Sequence, residues 1–300
     1  MNIVEVNHLK KYYGRHRGVE DVHFTIKQGE VFGFIGPNGA GKSTTIRCAL
    51  SLIFPTSGKI TLFGLDSIKD QVEIAKRVGY LPSEVAYYDN MKVKDLLEYS
   101  MSFYGRPDPA RLKDLCERMD LDISRKIDDL SLGNKKKVGI VQGLLHRPSL
   151  IILDEPTSGL DPLMQQRFFD LIEEENKRGA TVLFSSHILS EVKRLSDRIA
   201  LIKDGRIEDM DQIASLQSNH YKNVQLTADP EALDRFEGSD LIEVKQRFGD
   251  QLHFIYRGEI NRLLRELARF DVQNLSMEDP SLEELFMDYY ERPNNEHVSS

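Results

Sequence analysis

Three hundred residues, 40% hydrophobic and 29% charged, suit a globular chain of one large domain and a small one, or of two domains. A formal net charge of −8 argues against nucleic acid as the main partner, and the two cysteines, Cys48 and Cys116, form no metal-ligand spacing. No apolar run approaches the roughly 18 residues of a membrane span, and Met1-Asn2-Ile3-Val4-Glu5 lacks the basic-then-apolar order of a signal peptide, so a cytoplasmic location is expected.

The chain opens β-rich. Ile3–Val6 predicts one strand, and alternating Val22, Phe24 and Ile26 predict a second that ends at the turn Gln28-Gly29-Glu30. Val31–Ile35 is a short apolar run suited to a buried strand, and Ile46, Ala49, Leu50 and Ile53 recur at helical spacing. Between them stands Gly36-Pro37-Asn38-Gly39-Ala40-Gly41-Lys42-Ser43-Thr44, a full GxxxxGK[ST] phosphate loop. Its glycines permit a tight turn that aims N–H groups at phosphate oxygens, and the following helix start adds positive potential. Lys42 can reach the β- and γ-phosphates, and the Ser43 hydroxyl can hold Mg²⁺.

Ile60–Phe63 predicts a further strand closed by Gly64. From about residue 85 to 145 the pattern turns helical. Val93, Leu96, Leu97, Ser100, Met101 and Tyr104 share one face, and Leu112, Leu115, Cys116 and Met119 share the next, which makes Cys116 a core residue. Leu150–Leu153 and Thr181–Phe184 are continuous apolar runs of the kind found in central parallel strands. The first ends in Asp154-Glu155. Asp154 can hold Mg²⁺, and Glu155 can polarise a water for in-line attack on a γ-phosphate. Ile199–Ile202 and Ile207 flank the hairpin turn Asp204-Gly205. A boundary is expected near 210–222. Beyond it the order is strand 222–227, helix 230–236, strands 241–247 and 251–256, a helix carrying Ile260, Leu263, Leu264 and Leu267, and strand 272–277. That βαββαβ order is ferredoxin-like. A last helix with Leu282, Leu285, Phe286 and Tyr289 and a disordered polar tail from Pro293 are expected after it.

With these residues in place, the chain resembles the ATP-binding cassette family over roughly residues 2–215. Asp154–Asp161 resembles that family's Walker B strand running into its D-loop, Ser185-Ser186-His187 its switch histidine, and Leu130-Ser131-Leu132-Gly133-Asn134 its LSGGQ signature. Tyr13, with Tyr12 as the alternative, stands where the family stacks an aromatic on adenine, and Tyr80–Glu84 where it carries its Q-loop. The resemblance implies an α/β P-loop NTPase cassette, with a RecA-like core, an antiparallel β subdomain and a helical subdomain (about 85–145), over residues 1–215. A small α+β ferredoxin-like domain over 220–291 and a tail over 292–300 follow.

By resemblance, ATP and Mg²⁺ are the cofactors. Glu155 and His187 are catalytic, and Ser43 and Asp154 hold the metal. Tyr13, Gly36, Pro37, Asn38, Gly39, Ala40, Gly41, Lys42, Ser43, Thr44, Ser131, Gly133 and Asp161 contact nucleotide or couple the two sites. Ser131 and the N–H groups near Gly133 would bind the γ-phosphate held on a second copy, which gives a head-to-tail dimer. Two motifs depart from the family pattern. Ser83 stands at the position of the Q-loop glutamine, with Glu84 as the alternative if the loop shifts, and Leu132 and Asn134 replace the first glycine and the last glutamine of the signature. Lys135-Lys136-Lys137 reads as a solvated charged face.

One cassette without a membrane span implies a separate permease as partner, at the inner face of the cell membrane, and no nucleic acid. The alternative is a cassette ATPase with a non-transport cytoplasmic partner. Ser276–Phe286 resembles the end of ATPase subunits of bacterial multidrug, peptide and lipid exporters. Residues 84–90, with Tyr87 and Tyr88, are the expected permease contact.

Overall fold

A computed structural model of the chain describes residues 1–87, 90–105, 108–212, 221–238, 242–269 and 271–278. The chain divides into two compact units, Met1–Asp211 and Gln212–Ser300. Among the described residues, no helix is long and apolar enough to cross a membrane. The expected last helix and tail lie outside the described residues.

The first unit is built on a ten-stranded sheet. Its antiparallel part pairs β1 (Asn2–Tyr13) with β2 (His16–Lys27), with β4 (Ser57–Leu62) and β5 (Leu65–Asp66) beyond β1. Val22, Phe24 and Ile26 of β2 point inward as their alternation predicts. β1 runs well past the expected Val6. Register shifts between Val6 and Leu9 and between Leu9 and Lys11 break its period of two, so the sequence pattern stops where the strand does not.

The parallel part comprises β3 (Val31–Ile35), β6 (Val78–Leu81), β7 (Leu150–Asp154), β8 (Thr181–Ser186) and β9 (Arg198–Lys203), in the order β6-β7-β8-β3-β9. β10 (Arg206–Gln212) lies between β9 and β2 and joins the two parts. Every residue of β3, β7 and β8 is buried, which accounts for their unbroken apolar runs. Helix α1 (Lys42–Ala49) follows β3, and the short α2 (Gln71–Ala75) precedes β6.

The helical region holds α3 (Val93–Ser102), α4 (Pro109–Arg118) and α5 (Leu132–Leu144). The expected apolar face of α3 is buried, while Tyr104 lies past the helix end and stacks on His146 with centroids 3.7 Å apart. Asp108 caps α4 by accepting from the Arg111 N–H at 2.9 Å, with Pro109 at the first helical position. Arg111 forms a buried ion pair with Glu175 of α6 (Pro162–Lys177), tying α4 to the parallel-sheet layer. Helix α7 (Leu189–Leu195) follows β8.

The second unit contains β11 (Lys222–Ala228), α8 (Pro230–Glu237), β12 (Ile242–Phe248), β13 (Gln251–Tyr256), α9 (Ile260–Leu267) and β14 (Val272–Glu278). Its four strands pair antiparallel in the order β12-β13-β11-β14. Val224, Leu226, Phe254 and Tyr256 from the sheet pack with Leu233, Phe236, Leu263 and Leu267 from the helices in a core of its own.

Candidate functional site

The phosphate loop lies at the C-terminal end of β3 and leads straight into α1. Gly41 has φ +113°, and a Cβ there would sit 2.8 Å from the Gly18 carbonyl, so both conformation and space demand glycine. Pro37, Asn38 and Gly39 are exposed at the tip; Gly36, Ala40 and Gly41 are buried beneath it, and Ser43 and Thr44 are half-buried on α1. The turn is closed by Ala40 N–H donating to Pro37 O at 3.2 Å. The Lys42 ammonium folds back inside the loop. It donates to Gly36 O at 2.6 Å and Pro37 O at 3.2 Å, and lies 3.3 Å from Glu155 Oε1.

The acidic pair faces this loop because β7 is a near neighbour of β3, with β8 between them. Ser43 Oγ donates to Asp154 Oδ1 at 2.9 Å, and Ser185 Oγ donates to the same oxygen at 2.7 Å. Asp154 is 0% exposed, and its Oδ2 has no hydrogen-bond partner among the described residues. A buried, unpaired carboxylate oxygen is costly in isolation. Beside a hydroxyl it is the hard oxygen set that a divalent cation takes, so the residues fit Mg²⁺.

Glu155 sits just past the strand at φ +48°, a left-handed conformation unfavourable for a residue with a Cβ. Hydrogen bonds hold both of its peptide groups. Its N–H donates to Ser185 O at 3.1 Å, and its carbonyl accepts from Ser158 Oγ at 3.1 Å and Lys136 Nζ at 3.1 Å. The turn sends its carboxylate between Lys42 and His187, whose Nδ1 is 2.6 Å from Oε2. His187 itself is 48% exposed. Lys42, Ser43, Asp154, Glu155 and His187 are thus brought together, an ammonium, a hydroxyl, two carboxylates and an imidazole beside one glycine loop.

Tyr13 is 46% exposed at the end of β1 with Lys11 Nζ over its ring, whereas the Tyr12 hydroxyl is bonded to Glu20. Tyr13 is the more exposed of the two rings.

The remaining predicted residues lie elsewhere on the cassette. Ser131 caps α5, accepting from the Asn134 N–H at 3.3 Å. Gly133 packs so close to the Gly159 carbonyl that a Cβ would stand 2.6 Å from it. Asp161 caps α6, accepting from the Met164 N–H at 2.9 Å. Among the described residues, no hydrogen bond or ion pair joins Ser131–Asn134 to the loop at 36–44.

The lysine run corrects the sequence reading. Lys136 and Lys137 are buried, at 2% and 9% exposure, not on a solvated face. Lys137 donates to Asp120 O at 3.3 Å, and Lys136 to Pro82 O, Ser83 O and Glu155 O. Burial pulls the Lys136 pKa down to about 8, against the opposing pull of the Asp154 and Glu155 carboxylates. The helical spacing Lys136, Gly139, Ile140, Gly143 placed it on the inward face of α5, a readable signal. Glu191 carried no such signal. It accepts from Thr157 Oγ1 at 2.5 Å and Ser186 Oγ at 2.7 Å, linking the loop after β7 to the end of β8.

The family model described as ABC transporter matches residues 19–158. The bacitracin transport ATP-binding protein BcrA of Bacillus licheniformis is 34% identical over 295 residues, 95% of this chain and 96% of that protein. The linearmycin resistance ATP-binding protein LnrL of Bacillus subtilis (strain 168) is 34% identical over 68% of each chain. Among solved structures, an ATP-binding subunit of an ABC transporter superposes with a TM-score of 0.68 at 31% identity, covering 72% of this chain and 92% of that one.

Proposed function

The chain belongs to the family of ABC transporter ATP-binding proteins, ATPases whose hydrolysis of ATP is coupled to transport, and on that premise we propose that it energises export through a separate membrane permease. Two copies close head-to-tail over two ATP molecules, at the inner face of the membrane. The observation that carries this reading is the gathering of Lys42, Asp154, Glu155 and His187 around the phosphate loop, while among the described residues the signature at Ser131 and Gly133 makes no bond to that loop. We place the γ-phosphate that this signature binds on a second copy.

In this reading the N–H groups of Gly36–Thr44 cradle the phosphates, and Lys42 exchanges the Gly36 and Pro37 carbonyls for phosphate oxygens. Tyr13 stacks on adenine. Ser43 and Asp154 would hold Mg²⁺, which would supply positive charge to offset that of the phosphates. Glu155 accepts a proton from the attacking water, and His187 orients Glu155 and contacts the γ-phosphate. Ser131 and the Gly133 N–H of the second copy complete the γ-phosphate site, and Asp161 couples the two. Phosphate loss removes the bridge between copies, so ATP and product states favour different permease conformations.

A groove of about 450 Å³ lined by Tyr80, Pro82, Val85, Tyr87, Leu96 and Gly139 is the assigned permease contact. Tyr87 is half-buried in its wall, and Tyr88 lies outside the described residues. We assign residues 1–215 to the nucleotide-binding domain and 220–291 to an accessory domain. The strand order β12-β13-β11-β14 supports a ferredoxin-like fold for the latter.

The test is ATPase activity of the purified chain with and without membranes carrying its permease, with Glu155→Gln as control. Stimulation by the permease, with turnover abolished and ATP binding kept in Glu155→Gln, is the expected result. Robust activity that ignores the permease favours a non-transport partner; near-normal turnover of Glu155→Gln removes Glu155 from its role.

A further inference from the structure

The segment Tyr80–Glu84 has no glutamine where the resembled Q-loop carries one; Ser83, with a shorter side chain, stands there, followed by Glu84. The structure links this segment to Glu155 by another route. Lys136 Nζ donates to Pro82 O at 2.9 Å, Ser83 O at 2.9 Å and Glu155 O at 3.1 Å. An ammonium has three N–H donors, so these three carbonyls use them all. They belong to two segments far apart in sequence, and Lys136 comes from a third. Burying this cation costs desolvation energy that the nearby Asp154 and Glu155 carboxylates offset only in part, so its presence is not explained by stability alone.

Each end of this clamp matters to the site. Pro82 lines the groove assigned to the permease. Glu155 is held in a left-handed conformation that needs its peptide groups tied down, and its carbonyl is one of the tied groups.

We propose that Lys136 is a positioning residue: its ammonium pins the main chain of Pro82 and Ser83 to that of Glu155, sets the direction of the Glu155 carboxylate, and passes displacement of the 82–83 segment on to it. The proposal rests on the reading of Glu155 as the base. The coupling runs through main-chain carbonyls, so it does not depend on the side chain at position 83.

Lys136→Met and Lys136→Gln in the full chain test this, each with a thermal melt, an ATP affinity, kcat and KM. Each is also built with Ser83→Cys, and the rate of reaction with a thiol reagent is read; the chain without the added cysteine gives the background from Cys48 and Cys116, both buried. The expected result for Lys136→Met is kcat lower by about tenfold with KM and ATP affinity within about twofold. The thiol at position 83 should react severalfold faster than in the Lys136 parent. Lys136→Gln, which keeps an N–H donor, should recover part of both effects. A kcat within about twofold of the parent in both variants overturns the proposal, as does a common fall of kcat, ATP affinity and melting temperature, which marks a packing residue. Thiol reactivity separates this from the underlying reading. Unchanged labelling of position 83 refutes the clamp whatever Glu155 does, while normal turnover of Glu155→Gln refutes the base assignment whatever the labelling shows.

Discussion

At the scale of single residues, the site is a set of charges held where they could not remain alone. Asp154 is the clearest case. It is fully buried, takes hydroxyl bonds from Ser43 and Ser185 on one oxygen, and leaves the other unpaired among the described residues. A divalent cation would resolve that imbalance. Chelation with EDTA should therefore abolish turnover, and Asp154→Asn should lower it by about 100-fold or more with the fold intact. Turnover that survives chelation would take Ser43 and Asp154 out of the metal role. Glu191 shows the same economy without a metal, since its two oxygens accept the Thr157 and Ser186 hydroxyls and so orient the segments that carry Asp161 and His187.

Between elements, the seam of the helical region against the sheet turns on His146. Its ring stacks on Tyr104, and its Nε2 lies 3.2 Å from the Val78 carbonyl of β6. Burial pulls its pKa from 6.5 to about 4, partly offset by the Val78 bond. The folded chain thus keeps His146 neutral at pH values where the unfolded chain protonates it. In the window between pH 6.5 and about 4 the unfolded state binds the extra proton, so stability is lost as pH falls through it. The loss is at most about 3 kcal/mol, less for the partial exposure of the ring. His146→Phe keeps the stack and removes the titration. Urea unfolding of the variant across this window should show a shallower pH dependence than the parent; identical slopes would place the acid sensitivity elsewhere.

At the scale of the whole molecule, a second copy is part of the proposed site, because among the described residues no hydrogen bond or ion pair joins Ser131–Asn134 to the phosphate loop. Glu155→Gln, which traps ATP, should then elute at twice the monomer mass with ATP and Mg²⁺ and as a monomer without nucleotide. Ser131→Arg should keep ATP binding and block the shift, because a long cation replaces the hydroxyl at the signature. A chain that stays monomeric in Glu155→Gln with saturating ATP would sink the head-to-tail arrangement. The second unit carries its own core around Leu226, Phe254 and Leu263, and none of the assigned nucleotide contacts comes from it.

What could be read without coordinates was local. The phosphate loop is nine contiguous residues, the acidic pair ends a strand whose apolar run is its own signature, and the βαββαβ order follows from periodicity over a few residues at a time. These features depend on backbone preference and hydrophobic spacing, which neighbouring residues specify. The other features depended on contacts across long sequence separations. The bulges of β1 hid its second half, four-residue β6 was too short to carry a period, and Lys136, 54 residues from Pro82, read as solvated because charge alone says nothing about available carbonyls. The left-handed turn at Glu155 and its ties to Ser185 and Lys136 were likewise decided by strand neighbours. Sequence determined which groups were present and on which kind of element. Only the tertiary structure decided which of them met, because burial and hydrogen-bond pairing depend on which segments the sheet order makes neighbours.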